Sequence, residues 1–222
     1  TEFYGCSVKA GEWLFPKKIV NSSKFCVIHN AVDREKYRYS VQKREEIRGS
    51  MGITDQFVIG HVGNFCYQKN HYFLLDVFEE VHKKDPNTVL LLAGDGVRFE
   101  KVRQIVAEKN LEDVVKLLGR RSDTDYLYQG MDAFLLPSNF EGLPIAGIEA
   151  QSAGLPCFMS DEITKESKIT EACYFIPLKS GAKYWAEEIL DNRMERQSAE
   201  FLDNAEQYDL ANQDQELKSL IR

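Results

Sequence analysis

Two glutamates, Glu141 and Glu149, flank a Gly-Leu-Pro tripeptide where an apolar strand gives way to a helix. Pro144 suits the first position of that helix because its missing N–H costs nothing there, and Gly142 permits close approach of a ligand to the backbone. The amides predicted to point at the strand end are those of Gly142, Leu143 and Ile145. A carboxylate at the edge of an apolar helix face needs a partner, and a diol bonded to both of its oxygens would supply one. Each glutamate alone is typical of a solvated charge, but the pair around this tripeptide indicates a binding site.

A second segment runs from the glycine turn at Gly63 to a predicted helix start at Asn70, with Lys69 just before that start. Backbone N–H groups at the beginning of a helix, together with a nearby ammonium group, form an anion site suited to a diphosphate. Such junctions are common, however, and a lysine there is usually just solvated. The segment by itself is therefore a weak signal of phosphate binding.

The elements that must position these residues are apolar runs alternating with helical patterns. The predicted strands are Phe57–Gly63, Thr88–Ala93, Val114–Leu118, Asp132–Leu136, Pro156–Met159 and Tyr174–Ile176. The predicted helices include Val41–Met51, Asn70–Lys84, Pro144–Ala153, Ala182–Asn192, Met194–Gln207 and Gln213–Arg222. Strands that are apolar throughout are buried on both faces, which predicts an α/β fold with a doubly wound parallel sheet. Ligands of such sheets bind at the carboxyl ends of the strands, where the strand order reverses.

Three regions are expected along the chain: 1–20 as the end of a preceding domain, 21–200 as the binding domain, and 201–222 as a C-terminal helix. A helix over Ser7–Phe15 has no predicted strand before it, so it fits the sheet poorly. An ordinary N-terminal cap helix is an equally good interpretation of this segment. A first residue other than methionine favours a piece of a longer protein.

The composition of the chain excludes several classes of protein. The chain has 222 residues, 43% of them apolar and 28% charged, which is typical of a globular protein. A net charge of −7 argues against a nucleic-acid partner, which would favour a clustered basic surplus. No apolar run approaches the roughly 18 residues that cross a bilayer. The five cysteines form no Cys-x-x-Cys pair, so we expect reduced, buried thiols rather than zinc ligands or disulfides.

Several segments, in the same order along the chain, resemble the motifs of family 4 retaining glycosyltransferases of the GT-B fold. Around the two glutamates, Phe140–Pro144, Glu149-Ala150 and Ala153–Pro156 are similar to the family's EGLP…EA…G-P region. The other matching segments are Val27–Asp33, Gly63–Lys69, Leu92–Gly96 and Leu117–Gly119. The resemblance implies a Rossmann-like sheet that forms the C-terminal, donor-binding half of such an enzyme. The short segments His61–Gly63, Gln68–His71 and Cys173–Leu178 are similar to those of members that act in bacterial exopolysaccharide or capsule synthesis.

The resemblance also implies residue roles. Lys69 would bind the donor diphosphate, Glu141 the hydroxyls of the donor sugar and Glu149 the ribose hydroxyls, with Lys69 and Glu141 as the catalytic residues. Sugar or phosphate oxygens would be received by the amides of Gly142, Leu143, Ile145 after Pro144, and Ala146. The nucleobase would lie near Gly119, Arg120 and Arg121, with Gly63 and Gly94 in the same cleft.

The sequence departs from the family pattern at two positions, one in the implied diphosphate site and one in the linker. Asn64 stands where the family has an arginine, which removes a fixed cation from the diphosphate site. We expect either that Arg120 or Arg121 compensates, or that the affinity for the donor is lower. Ala31 replaces a family glycine and weakens only the linker match. The run Asp123-Thr124-Asp125 has the spacing of a metal-binding acidic pair, but it opens a predicted helix and is better interpreted as capping charge.

The activity implied by the resemblance is sugar transfer with retention from a nucleotide-diphosphate sugar, with UDP-sugar favoured over GDP-sugar and with no metal or cofactor required. The acceptor would be a glycan or lipid-linked molecule held by the preceding half, through which a peripheral membrane contact would also be made. A cytoplasmic location, at the inner face of the membrane for the full-length protein, is implied as well. The isolated chain is expected to bind donor without transferring it.

Two alternatives remain open at this stage. A GT-B epimerase or phosphorylase would carry a different set of residues, and no lysine is evidently placed for pyridoxal phosphate. A non-catalytic nucleotide-sugar-binding or interaction module with the same fold is the other alternative, and Asn64 is its best support.

Overall fold

The computed structural model describes residues 2–213 and residue 218. Its strands are β1 (Phe3–Gly5), β2 (Phe25–Val27), β3 (Phe57–Val62), β4 (Thr88–Ala93), β5 (Val115–Gly119), β6 (Ala133–Leu136), β7 (Cys157–Ser160) and β8 (Cys173–Ile176). Its α-helices are α1 (Val8–Leu14), α2 (Lys17–Val20), α3 (Arg34–Tyr37), α4 (Val41–Ser50), α5 (His71–Lys84), α6 (Phe99–Glu108), α7 (Thr124–Gly130), α8 (Ile145–Ser152) and α9 (Gly181–Asp191). The alternation of apolar strands and helices predicted from the sequence is confirmed.

The main sheet is parallel throughout, with strand order β5-β4-β3-β6-β7-β8. The order runs outward from β3 in one direction and from β6 in the other, so it reverses between these two strands. A doubly wound sheet of this kind opens a crevice at its carboxyl edge beside that reversal. The loops after β3 and β6 are therefore the ones placed to hold a ligand.

The apolar strands are shared between two core clusters, one on each face of the sheet. Along β4, Val89 and Leu91 pack into one cluster, whereas Leu90 and Leu92 pack into the other. This alternation follows from the two-residue period of a strand, and it explains why the run is apolar at every position.

One buried acidic residue ties a flanking helix to the sheet just before β6. The Asp132 carboxylate accepts hydrogen bonds from Arg44, from Arg48 Nη1 at 3.1 Å and from the Val58 amide at 2.8 Å. Arg48 also donates to the carbonyls of Gly130, Thr54 and Gln56. Helix α4 is thereby fixed to the start of β6 and to the β3 strand beside it.

The N-terminal segment packs on the loop after β6. The predicted helix is present as α1, capped by Ser7, but the expectation that no strand precedes it is wrong, because β1 pairs with β2 in a separate parallel sheet. The Ser7 hydroxyl donates to the Gly142 carbonyl at 3.0 Å, and the Trp13 ring meets the Phe140 ring edge-on at 5.4 Å. This segment therefore forms one wall beside the Gly-Leu-Pro turn.

The helix predicted over Met194–Gln207 is wrong. Residues 193–200 have no regular secondary structure, and a 3₁₀-helix follows at Asp203–Tyr208. Tertiary contacts override the helical pattern here: Phe201 forms an antiparallel bridge with Thr170, and a Cβ on Gly154 would come within 2.1 Å of the Gln197 carbonyl oxygen. Apart from Gln213 and Lys218, the helix predicted over Gln213–Arg222 lies outside the described residues.

Candidate functional site

The turn after β3 lies against the turn after β4. Gly94 has a φ of +145°, and a Cβ there would come within 2.0 Å of the Gly63 carbonyl oxygen. Gly96 has a φ of +150°, and a Cβ there would lie 2.7 Å from the Phe65 carbonyl oxygen. Only glycine allows this backbone-on-backbone approach, so the glycines of both turns hold the cleft walls together.

An open cleft of about 730 Å³ lies at the carboxyl ends of β3, β4 and β5. The sequence-predicted residues that line it are Gly63, Asn64, Gly94, Arg120 and Arg121. Gly119 supports its floor, because its carbonyl accepts a hydrogen bond from the Gly94 amide at 2.8 Å. The cleft is large enough for a nucleotide-sized ligand.

Lys69 and Glu141 form an ion pair that bridges the loops after β3 and β6. Lys69 Nζ lies 2.6 Å from Glu141 Oε1, and the two side chains are 15% and 7% exposed. Two further donors hold the carboxylate: the Ser138 hydroxyl at 2.9 Å and Gln68 Nε2 at 2.9 Å. Neither residue is among those that line the cleft, but Lys69 lies beside its wall, since a Cβ on Gly63 would lie 3.1 Å from Lys69 Cε. An ammonium and a carboxylate thus meet at the reversal of strand order.

The turn that follows Glu141 is less open than the sequence predicted. Pro144 directly precedes α8 and accepts hydrogen bonds from the Gly147 and Ile148 amides. Ile145 is exposed, but Leu143 is buried. Burial raises the pKa of the nearby Cys6 thiol. The turn before α1 packs against this side, since the Ser7 hydroxyl bonds to the Gly142 carbonyl.

Glu149 lies apart from the Lys69–Glu141 pair, within a cluster of tyrosines. Its Oε1 accepts from the Tyr37 hydroxyl at 2.6 Å and its Oε2 from the Tyr128 hydroxyl at 2.9 Å. Burial and the nearby carboxylate raise the pKa of both phenols, so each hydroxyl keeps its proton at neutral pH. Reasoning from the sequence missed both tyrosines. A buried phenol usually bonds to an acceptor, and Glu149 had already been singled out as a carboxylate in need of a partner.

The two arginines near the predicted base site differ in how they are held. Arg121 donates to both oxygens of Asp123, at 2.8 and 2.6 Å, so its charge is offset locally. Arg120 is exposed and lines the cleft. Asp123 precedes α7 but its side chain does not cap the helix, which corrects the capping role expected for it, and Asp125 pairs with Lys36 at 3.5 Å. Within residues 2–213 and 218, no group of three or more His, Cys, Asp or Glu side chains could hold a metal ion.

A pair of buried histidines lies beneath the turn after β3. His61 places Nδ1 2.8 Å from the Leu135 carbonyl oxygen, and its ring centroid is 4.8 Å from that of His71. Burial lowers the pKa of both imidazoles, to about 4 for His71, where the positive charges of Lys69 and Arg98 add to the shift. Both rings are therefore neutral at pH 7.

Acidification should destabilise the fold through His71. Its pKa falls from 6.5 in the unfolded chain to about 4 in the folded one, so the unfolded state binds the proton first and stability is lost as the pH drops below 6.5. By about pH 5 this group alone should cost about 2 kcal/mol of the free energy of unfolding. Urea unfolding of the wild-type protein and of His71→Phe, above pH 6.5 and at about pH 5, measures this loss. The same pH dependence of the free energy of unfolding in the two proteins would contradict the prediction.

Comparison with known proteins gives the family. Residues 43–208 match the family described as "Glycosyl transferases group 1", and the chain therefore belongs to that family. It is 34% identical over 167 residues to a Bacillus subtilis protein whose name, EpsF, is that of a glycosyltransferase; the match covers 75% of this chain and 44% of that protein. It is also 33% identical over 146 residues to the Escherichia coli UDP-Gal:alpha-D-GlcNAc-diphosphoundecaprenol alpha-1,3-galactosyltransferase, covering 64% and 38% of the two chains. The chain thus spans less than half the length of these relatives.

Solved structures confirm the architecture. Anabaena HepE, crystallised in complex with UDP and glucose, superposes with a TM-score of 0.77 at 18% identity and covers 99% of this chain and 62% of its own. The chain has the fold found in GT-B glycosyltransferases, as the resemblance implied. Among the described residues, none of the helices has the length and apolar character needed to span a bilayer.

Proposed function

We propose that this chain binds a nucleotide-diphosphate sugar, with a UDP-sugar favoured, and forms the donor-binding part of a family 4 retaining glycosyltransferase. The observation that carries the proposal is the Lys69–Glu141 ion pair at the reversal of strand order, with Lys69 beside Gly63 in the wall of the open cleft. It joins a group that binds phosphate to a group that binds hydroxyls, as an activated sugar requires. The UDP named in the HepE complex and the UDP-Gal named for the E. coli relative support the choice of nucleotide.

Transfer needs stabilisation of the leaving diphosphate, which gains negative charge as the bond from the sugar C1 to oxygen breaks. Lys69 and the N-terminus of α5, which begins two residues later, would supply positive potential at that place. Glu141 would hold sugar hydroxyls, and Glu149 would accept hydrogen bonds from the ribose diol. The amides of Gly142 and Ile145 would add donors on the opposite side of the ligand.

The acceptor would be a glycan or lipid-linked molecule, bound by a part of the GT-B fold other than this chain. The isolated chain should then bind donor nucleotide without transferring sugar. Peripheral membrane contact through that other part, on the cytoplasmic side, belongs to the same proposal.

A screen of this chain against UDP-, GDP- and ADP-sugars, followed by calorimetry with the free diphosphates, tests the proposal. We expect micromolar binding of UDP that Glu149→Ala abolishes, with Glu187→Ala, a surface substitution on α9, as the matched control. Absence of binding by every nucleotide would overturn the donor-site assignment. That result would favour a non-catalytic module with the same fold, which the exposed Asn64 in the cleft wall supports.

A further inference from the structure

The carboxylate of Glu149 is held by one phenol on each oxygen. The Tyr37 hydroxyl lies 2.6 Å from Oε1 and the Tyr128 hydroxyl 2.9 Å from Oε2. Both tyrosines are buried, at 7% and 0% exposure, whereas Glu149 on α8 keeps part of its surface exposed. The two phenols therefore approach from the protein interior, and Glu149 itself is not fully enclosed.

Tyr37 is held in place independently of Glu149. The fully buried Gln129 donates from Nε2 to the Tyr37 carbonyl at 3.0 Å and accepts from the Ser40 amide through Oε1 at 2.9 Å. The Tyr37 ring also meets the Tyr128 ring edge-on, with centroids 5.8 Å apart. Helix α7, which carries Tyr128 and Gln129, thus fixes α3 and sets the position of the Tyr37 hydroxyl.

We infer that Tyr37 and Tyr128 are positioning residues that orient the Glu149 carboxylate for a vicinal diol. This inference rests on the proposed function. A carboxylate has about four lone-pair sites, two on each oxygen, and each phenol occupies one of them. One site remains on each oxygen, and the two hydroxyls of a ribose donate one hydrogen bond to each. The phenols also supply hydrogen bonds that compensate the carboxylate for water lost on partial burial.

Tyr37→Phe removes one hydroxyl without changing the volume of the ring, and it separates positioning from general structural support. We expect it to weaken UDP binding about tenfold, the worth of one charge-assisted hydrogen bond, while the affinity for 2′-deoxy-UDP changes less than about threefold. The preference of the protein for UDP over its 2′-deoxy form should therefore shrink. Tyr39→Phe is the matched control, because the Tyr39 ring packs on Arg196 at 4.7 Å and should leave the preference unchanged.

Calorimetry with UDP and 2′-deoxy-UDP distinguishes a failure of the proposed function from a failure of the positioning role. If the wild-type protein binds UDP but does not prefer it over the 2′-deoxy form, Glu149 does not bind the ribose. That result would overturn the function proposed for this residue. A wild-type preference that Tyr37→Phe leaves intact, or tighter UDP binding by that variant, would overturn the positioning role alone. Should Tyr37→Phe fail to fold, Tyr128→Phe provides the same comparison at the other oxygen. In the Glu149→Gln background, the effect of Tyr37→Phe on the preference should disappear.

Discussion

Lys69→Ala should lower the affinity of the chain for UDP by about 10- to 100-fold, the range for a charge-assisted hydrogen bond to a phosphate group. The ammonium group lies at the border of the cleft and is largely buried, so its field there is weakly screened by solvent. Uridine lacks the diphosphate, and its affinity should change less than about threefold. Calorimetric titration with both ligands measures the contrast, and equal losses for UDP and uridine would contradict the assignment of Lys69 to the phosphates.

Glu141→Gln is the control for this experiment, and its effect on UDP affinity should be opposite to that of Lys69→Ala. In the protein without ligand, Glu141 neutralises the Lys69 ammonium at 2.6 Å. Glutamine retains the shape and its carbonyl oxygen can still accept from Ser138, but without the negative charge it holds the ammonium less tightly, which favours interaction of that ammonium with a diphosphate. We therefore expect UDP affinity to be kept or increased while discrimination between donor sugars is lost. A large loss of UDP affinity in Glu141→Gln would indicate that the roles of Glu141 and Glu149 are reversed.

Asp132→Ala should lower the free energy of unfolding by about 3–5 kcal/mol, the cost of leaving a buried ion pair without one partner. Arg48 is 8% exposed at its side chain and Arg44 is 19% exposed, so both guanidinium groups would lose their carboxylate in surroundings with little water. The Val58 amide would lose its acceptor as well. Urea or thermal unfolding of the purified chain measures the change.

Two comparisons separate charge from shape at this position. Asp132→Asn keeps the acceptor for Val58 but removes the negative charge, and it should lie between wild type and Asp132→Ala in stability. Glu187→Ala removes the partner of Lys84 on the exposed surface, where ion pairs contribute little, and should leave the unfolding midpoint nearly unchanged. Equal effects of Asp132→Ala and Glu187→Ala would show that the cluster around Asp132 is not the anchor of α4.

The doubly wound sheet was predictable because each of its strands is short and apolar at nearly every position. Such a run needs cover on both faces, and in β4 the alternate residues do pack into two separate cores. Ligands of such sheets bind at the carboxyl ends of the strands, and both Lys69 and Glu141 follow predicted strands. In the structure Lys69 Nζ and Glu141 Oε1 lie 2.6 Å apart, a pairing that the sequence alone did not predict.

The N- and C-terminal segments were less predictable. The pairing of β1 with β2 and the extended path of residues 193–200 depend on contacts with distant parts of the chain. The sequence pattern over Met194–Gln207 is helical, but the segment does not form a helix there. Phe201 instead bridges to Thr170, and the backbone at Gln197 passes close to Gly154. Local propensity is a weak influence compared with such tertiary pairing.

By itself, the sequence determined the class of fold, the edge of the sheet where the open cleft lies and the chemical character of the groups there, because strand period, glycine turns and residue types are local properties. Only the tertiary structure decided which group each side chain meets. Tyr37 reaches Glu149 across 112 positions of sequence, and Arg121 meets Asp123 rather than standing free. Such partners are set by how helices and loops pack in three dimensions, where shifts of about 1 Å decide whether a hydrogen bond forms.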